Sequence, residues 1–203
     1  MHALPRRPLL AFLAVLVLSG PGVAQEEVPV IAAAANLEFA LTEIAGRFTA
    51  ESGHRLRLST GSTGNIARQI RQGAPYQMFL AADDQTIRAL HAEGLTRDEG
   101  VVYAVGRISL VAPQGSPLDP AQGLAGLAAL IGAGQISRFA IANPEHAPFG
   151  IAAREALVAQ GLWEALQPAL VLGENVSQAA QFALSGSTEG GIIAYSLALA
   201  PEV

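Results

Sequence analysis

The sequence predicts an α/β protein of two lobes, each a mostly parallel sheet flanked by helices. Three observations predict it. Short apolar runs that read as buried strands alternate with segments of helical periodicity, and strands joined by crossover helices pair in parallel with both faces covered. The 203 residues are 51% hydrophobic and 14% charged, which supplies a sizeable core and excludes a disordered chain. The alternation runs twice, with a junction near Gly106 to Pro113, and no sequence repeat relates the two runs.

Residues 1–24 are set apart as a secretory signal peptide. Arg6 and Arg7 form a basic start, Leu9 to Leu18 is an unbroken apolar run, and Gly22-Val23-Ala24 supplies small residues for cleavage. The run is too short for an ordinary membrane-spanning helix. The expected organisation is therefore a leader at 1–24, a first lobe at 25–106 and a second lobe at 107–203. Removing the leader's two arginines leaves 10 basic and 17 acidic residues, a net charge of −7 against −5 for the whole chain. An acidic chain lacks the basic face of a general nucleic-acid binder. With no cysteine, neither a disulfide framework nor a cysteine-built metal site can form. Export to the periplasm or beyond is the simplest destination.

The elements follow in order. Val28 to Ala34 reads as a buried strand. Asn36 to Ser52 reads as a helix with Leu37, Leu41, Ile44 and Phe48 on one face and Gly53 as its stop. His54 to Ser59 alternates as a strand, and a helix carrying Ile66, Ala67 and Ile70 follows the loop Thr60 to Gly64. Tyr76 to Ala82 reads as a buried strand, Asp83 as a helix cap, and Val101 to Val111 as a long strand region stopping before Pro113. In the second run Ala121 to Ile131 is helical and Ser137 to Ala142 is a strand. A loop of turn formers, Asn143 to Pro148, leads into a helix from Phe149 or Gly150 to about Gln160. Ala169 to Leu172 is a short strand, Asn175 starts a helix through Leu184, and Gly190 to Ala194 is a final strand with Tyr195 at its end.

The chemistry is expected in the turns that follow the strands, because ligands of open α/β sheets bind beyond the C-terminal strand ends. Four such turns open predicted helices: Ala35-Asn36, Ser62-Thr63-Gly64, Pro148-Phe149-Gly150 and Asn175-Val176-Ser177. Helix N-termini offer unpaired N–H groups and partial positive charge, a ready anion site. None of the four turns holds Lys or Arg. If they converge they form a neutral, donor-rich cage suited to a small, fully deprotonated oxyanion. Taken singly, Ser, Thr or Asn at a helix start is an ordinary cap, and Tyr195 is by default a packing residue. No Gly-Lys-Ser/Thr of a P-loop and no Gly-x-Ser-x-Gly elbow occurs. His146 beside Glu145 is a weak metal motif and the best candidate base should the chain be an enzyme.

Taken together, several segments resemble the molybdate-binding proteins of ABC importers. They are Ala32 to Leu37, Gly61 to Gly64, Ala67 to Ile70, Gly73-Ala74-Pro75, Phe79 to Asp83, Asn143 to Gly150, Glu174-Asn175-Val176 and Gly191 to Tyr195. They occur in order and cover nearly all of the chain after the leader. The resemblance implies a two-lobed periplasmic-binding-protein fold that closes on molybdate or tungstate through neutral hydrogen bonds. It implies that Asn36 and Thr63 bind from the first lobe, with Ser62 in support. Phe149 and Val176 would donate backbone N–H groups and Tyr195 its hydroxyl. Thr63 stands where Ser is usual, and Gln77 stands where an acid is common and receives no role. Molybdenum would enter only inside the oxyanion, with no direct protein–metal ligand and no cofactor. The implied partner is the membrane permease of an importer, with no nucleic acid, no catalysis and a monomeric chain. The family's last strands and C-terminal helix, which complete the first lobe, are expected to be missing from these residues. The rivals are a binder of another oxyanion, such as sulfate or phosphate, and an enzyme on a similar two-lobed fold.

Overall fold

Two sheets organise the computed structural model, which describes residues 28–201; the expected leader lies outside them. The first sheet has the order β2-β1-β3 and is wholly parallel. Its central strand β1 (Val30–Ala34) is rich in small residues, and Ala32, Ala33 and Ala34 are buried. A single 3-10 turn, Ala35–Leu37, leads from β1 into α1 (Glu38–Ser52). Gly53, at φ 75°, ends α1 in the left-handed conformation that glycine adopts without cost. β2 (Arg57–Gly61) then leads into α2 (Thr63–Arg71), and β3 (Met78–Leu80) into α3 (Asp84–Ala92). The expected cap is in place: Asp83 accepts from the Thr86 N–H at 2.7 Å.

The second sheet has the order β4-β7-β5-β6. β4 (Ile108–Val111) pairs antiparallel with β7, and the remaining pairs are parallel. After β4 come α4 (Gly123–Gly132), β5 (Phe139–Ala142), α5 (Pro148–Ala159) and the short α6 (Trp163–Leu166). β6 (Leu170–Gly173), α7 (Val176–Leu184), β7 (Gly190–Ala194) and α8 (Tyr195–Ala198) complete the described chain. β5 and β7 lie inside the sheet and every residue of both is buried, as both faces of a helix-covered parallel sheet require. Leu127, Phe139, Ile141, Leu157 and Leu166 form the core on one face, each contributing about 1.5–3 kcal/mol through burial.

Close approach of helix to sheet sets where the helix ends fall. A Cβ on Gly150 would meet the Ala142 carbonyl oxygen at 2.2 Å, so the first turn of α5 presses directly on the end of β5. A Cβ on Gly191 would come within 2.4 Å of the Ala140 oxygen and 2.9 Å of the Ala183 Cβ. The small face of α7 (Ala179, Ala180, Ala183) thus lies flat on the sheet. At the opposite end Glu189 clamps the strands. Its carboxylate accepts from the Ser137 N–H and hydroxyl, at 3.1 and 2.7 Å, and from the Arg138 N–H at 2.7 Å. Burial pushes this carboxyl up, but the hydrogen bonds outweigh burial and hold it below the usual carboxylate range.

The apolar stripe of α1 is only partly covered: the helix has no buried residue, and Ile44 and Phe48 are 57% and 41% exposed. Two expectations about elements require correction. Residues 101–107 form no strand among the described residues, and only Ile108–Val111 of the expected long strand is realised. Tyr76 to Ala82 contracts to an edge strand of three residues with Met78 exposed rather than a buried one. Among the described residues no helix is long and apolar enough to cross a membrane.

Candidate functional site

The turns that follow β1, β2, β5 and β6 meet in the cleft between the two sheets and line one small cavity. Its interior admits water-sized centres over only about 10 Å³, roughly what one water needs. The first lobe lines it with Asn36, Ser62 and Thr63, and with Ala82 beyond β3. The second lobe contributes Pro148, Phe149 and Val176. No lining residue is charged. Five of the six residues proposed from sequence, together with Ser62 in its supporting place among them, therefore come together. Tyr195 is outside the lining.

The polar groups are not all spent on capping. Asn175 is an ordinary cap: its side chain accepts from the Gln178 N–H at 3.0 Å. Ser62 stands at the N-cap of α2, yet its hydroxyl makes no cap bond and lies 3.0 Å from His146 Nδ1 instead. Thr63, 1% exposed, accepts the Ala82 N–H on its hydroxyl oxygen at 3.0 Å. A hydroxyl has one proton and two lone pairs, so this bond occupies an accepting side of Thr63 and leaves its proton to donate. Asn36 Oδ1 is buried without a partner among the described residues. An orphaned buried polar atom costs about 1–3 kcal/mol, and here it belongs to the cavity wall. Phe149 and Val176 sit in the first turns of α5 and α7, where N–H groups lack intrahelical acceptors.

Tyr195 opens α8, and its N–H donates to the Arg107 carbonyl at 2.8 Å. The residue is 44% exposed. Its neighbour Ser196 donates to the Asn36 carbonyl at 3.2 Å, and Ser177 of α7 donates to the Ala35 carbonyl at 3.1 Å. Two serine hydroxyls of the second lobe thereby hold the first-lobe turn that carries Asn36.

A second bridge crosses the cleft at α2. The Gly64 N–H donates to the His146 carbonyl at 2.9 Å. His146 Nε2 lies 3.6 Å from Glu174 Oε2, and the other Glu174 oxygen accepts from Asn65 Nδ2. Glu145 takes no part: it is exposed, and its N–H donates to Asn143 Oδ1 at 3.0 Å. Among the described residues no group of three or more His, Asp and Glu side chains gathers as a metal site.

Several contributors escaped the sequence reading. Tyr103 donates its hydroxyl to the Ala81 carbonyl at 2.7 Å, tying the interlobe segment to the end of β3, and burial pushes its phenol up. Gln77 Oε1 accepts the Val30 N–H at 2.6 Å and holds the start of β1. The Ser62–His146 contact spans 84 residues of sequence, and no local signal marks it.

The family described as bacterial extracellular solute-binding protein matches residues 29–203. The molybdate-binding protein ModA of Azotobacter vinelandii is 38% identical over 167 residues, which are 82% of this chain and 64% of that protein. ModA of Rhodobacter capsulatus is 35% identical, over 85% of this chain and 66% of its own length. The chain thus spans just under two thirds of these curated relatives. A solved structure, the Azotobacter vinelandii periplasmic molybdate-binding protein, superposes with a TM-score of 0.72 at 30% identity, covering 82% of this chain and 71% of that one. The α/β fold is thus shared with a solved relative, and the chain belongs to the bacterial extracellular solute-binding protein family.

Proposed function

We propose that this chain captures a small tetrahedral oxyanion, molybdate or tungstate, outside the cytoplasm and delivers it to the membrane permease of an ABC importer. The observation that carries this reading is the meeting of four helical N-termini on one small cavity free of charged lining. A dianion entering such a space loses its hydration, so each oxygen needs protein donors. Backbone N–H groups at Phe149 and Val176 and the hydroxyl of Thr63 supply them without titrating. Asn36 supplies its amide, Ser62 supports Thr63, and Tyr195 donates its phenol from the adjoining α8. Lobe closure about the 101–107 segment buries the anion. A protonated phosphate would need an acceptor, and the lining holds no carboxylate. The molybdate-binding names of the relatives support the same ligand class.

Export through the residue 1–24 leader, action as a monomer and the lack of a cofactor belong to the same proposal. Calorimetric titration of the purified chain with molybdate, tungstate, sulfate and phosphate tests it. The first two are expected to bind far more tightly, and sulfate binding equal or tighter would overturn the ligand assignment. One observation favours a second reading: Ser62 and His146 have the separation of a nucleophile and its base. Hydrolysis of activated acyl or phosphate esters, abolished by Ser62→Ala, would establish that reading instead.

A further inference from the structure

We propose that His146 is a positioning residue of the anion site, whose protonation turns the Ser62 hydroxyl proton toward the cavity, so that anion capture takes up a proton. The inference rests on the oxyanion reading of the cavity. It begins with how firmly the imidazole is held. The His146 carbonyl is fixed by the Gly64 N–H at 2.9 Å, and the side chain is only 15% exposed. Nδ1 lies 3.0 Å from Ser62 Oγ and Nε2 lies 3.6 Å from Glu174 Oε2. Ser62 is itself 4% exposed and lines the cavity.

In the proposed arrangement the hydrogen of the neutral ring sits on Nε2, the nitrogen 3.6 Å from the Glu174 carboxylate, which only accepts. In the neutral imidazole Nδ1 is then an acceptor, and the Ser62 hydroxyl spends its proton there. Ser62 in that state presents a lone pair to the cavity, the wrong polarity for an anion. In the imidazolium both ring nitrogens donate. Nδ1–H then fills a lone pair of Ser62, and the serine proton is released to point at the ligand. Protonation therefore adds one donor to the cage and one positive charge at its margin. By linkage, a bound anion favours the imidazolium equally.

The other groups around the ring leave this logic intact. From the β6–α7 turn comes Glu174, whose carboxylate lies 3.6 Å from Nε2. From α2 come Asn65, which donates to Glu174, and Arg68, whose guanidinium donates to the Asn65 side-chain oxygen. Glu145, on the ring's own loop, is exposed. The first turn of α5, Pro148 to Gly150, has no titratable side chain. The serine clasp on the other side of the cavity, Ser177 and Ser196 on backbone carbonyls, does not titrate, so the coupling is confined to the α2 side.

The test is molybdate titration of the full chain between about pH 6 and about pH 8, the span in which imidazole changes charge. Each pH is run in buffers of different ionisation enthalpy, so that proton uptake is read directly. Molybdate is fully deprotonated there and brings no proton of its own. The wild type is expected to take up protons on binding and to lose affinity by roughly tenfold as pH rises. His146→Gln is expected to remove both the uptake and the pH slope. Binding without proton uptake by the wild type, or an unchanged slope in His146→Gln, overturns this inference and leaves the proposed function standing. A folded wild type that binds none of the four oxyanions overturns both.

Discussion

The amide nitrogen of Gly64 lies 2.9 Å from the carbonyl oxygen of His146, and a methyl group on that glycine would stand 2.7 Å from the same oxygen. The two residues belong to opposite lobes, so absence of a side chain at position 64 is what lets the cleft close at α2. Closure in turn brings His146 onto Ser62.

Gly64→Ala should hold the lobes apart without harming either one. Alanine is the better helix former, so the melting temperature without ligand is expected to stay unchanged or rise slightly. Molybdate affinity is expected to fall at least about tenfold, about 1.4 kcal/mol. Calorimetry gives the affinity and small-angle scattering the opening; wild-type affinity in a chain of unchanged dimensions would contradict the closure argument.

Thr63 separates stability from binding. Thr63→Val keeps the shape but leaves the Ala82 N–H without its acceptor, so denaturant unfolding should register a loss of about 1–3 kcal/mol. Affinity should also fall, because the donating proton is gone. Thr63→Ser keeps both bonds and is expected to bind within a few-fold of wild type. A valine variant as stable and as tight as the parent would remove Thr63 from the site.

Tyr195→Phe tests the proposed phenol donor. Tyr195 adjoins Ser196, which donates to the Asn36 carbonyl. A hydrogen bond to a charged group is worth about 1.5–3 kcal/mol, and a loss of roughly tenfold or more in molybdate affinity is expected with little change in unliganded stability. Unaltered affinity in a titration run beside Thr63→Val would make Tyr195 a packing residue.

Glu189→Gln addresses the strand clamp. The folded state holds the Glu189 carboxyl below its ordinary value, so its contribution is present above the unfolded-state pKa and is lost as pH falls through the lower folded one. At neutral pH the glutamine variant is expected to be less stable by about 1–2 kcal/mol. The gap from wild type should narrow toward strongly acid pH. Denaturation across pH measures it, and a gap independent of pH would show that ionisation of Glu189 is irrelevant.

Much of the fold was legible because its signals are local. β7, Gly190–Ala194, matches its expected bounds, because a glycine start and an apolar run confined the strand. Asp83 and Asn175 cap as their side chains dictate, each accepting an N–H three residues on. The helical periodicity of α1 is likewise local, but periodicity describes a face and does not supply what covers it. Ile44 and Phe48 stay 57% and 41% exposed, since the described elements cover that face only in part. Val101, Val102 and Val105 have the composition of a strand and no partner to make them one.

The sequence by itself determined the alternation of strands and helices and the chemistry of each strand-to-helix turn, because capping, turn formation and amphipathic period act within a few residues. It placed Asn36, Thr63, Phe149 and Val176 at helix starts, where backbone donors are free for the same local reason. Only the tertiary structure decided which of those donors face one another. It left Asn175 as a plain cap, withdrew Ser62 from capping, and joined that serine to His146 across the cleft. That difference is physical: a helix terminus is made by its own turn, whereas a site is made where segments distant in sequence meet, as Gly64 meets His146 and Gly191 meets Ala140 with no side chain in the way.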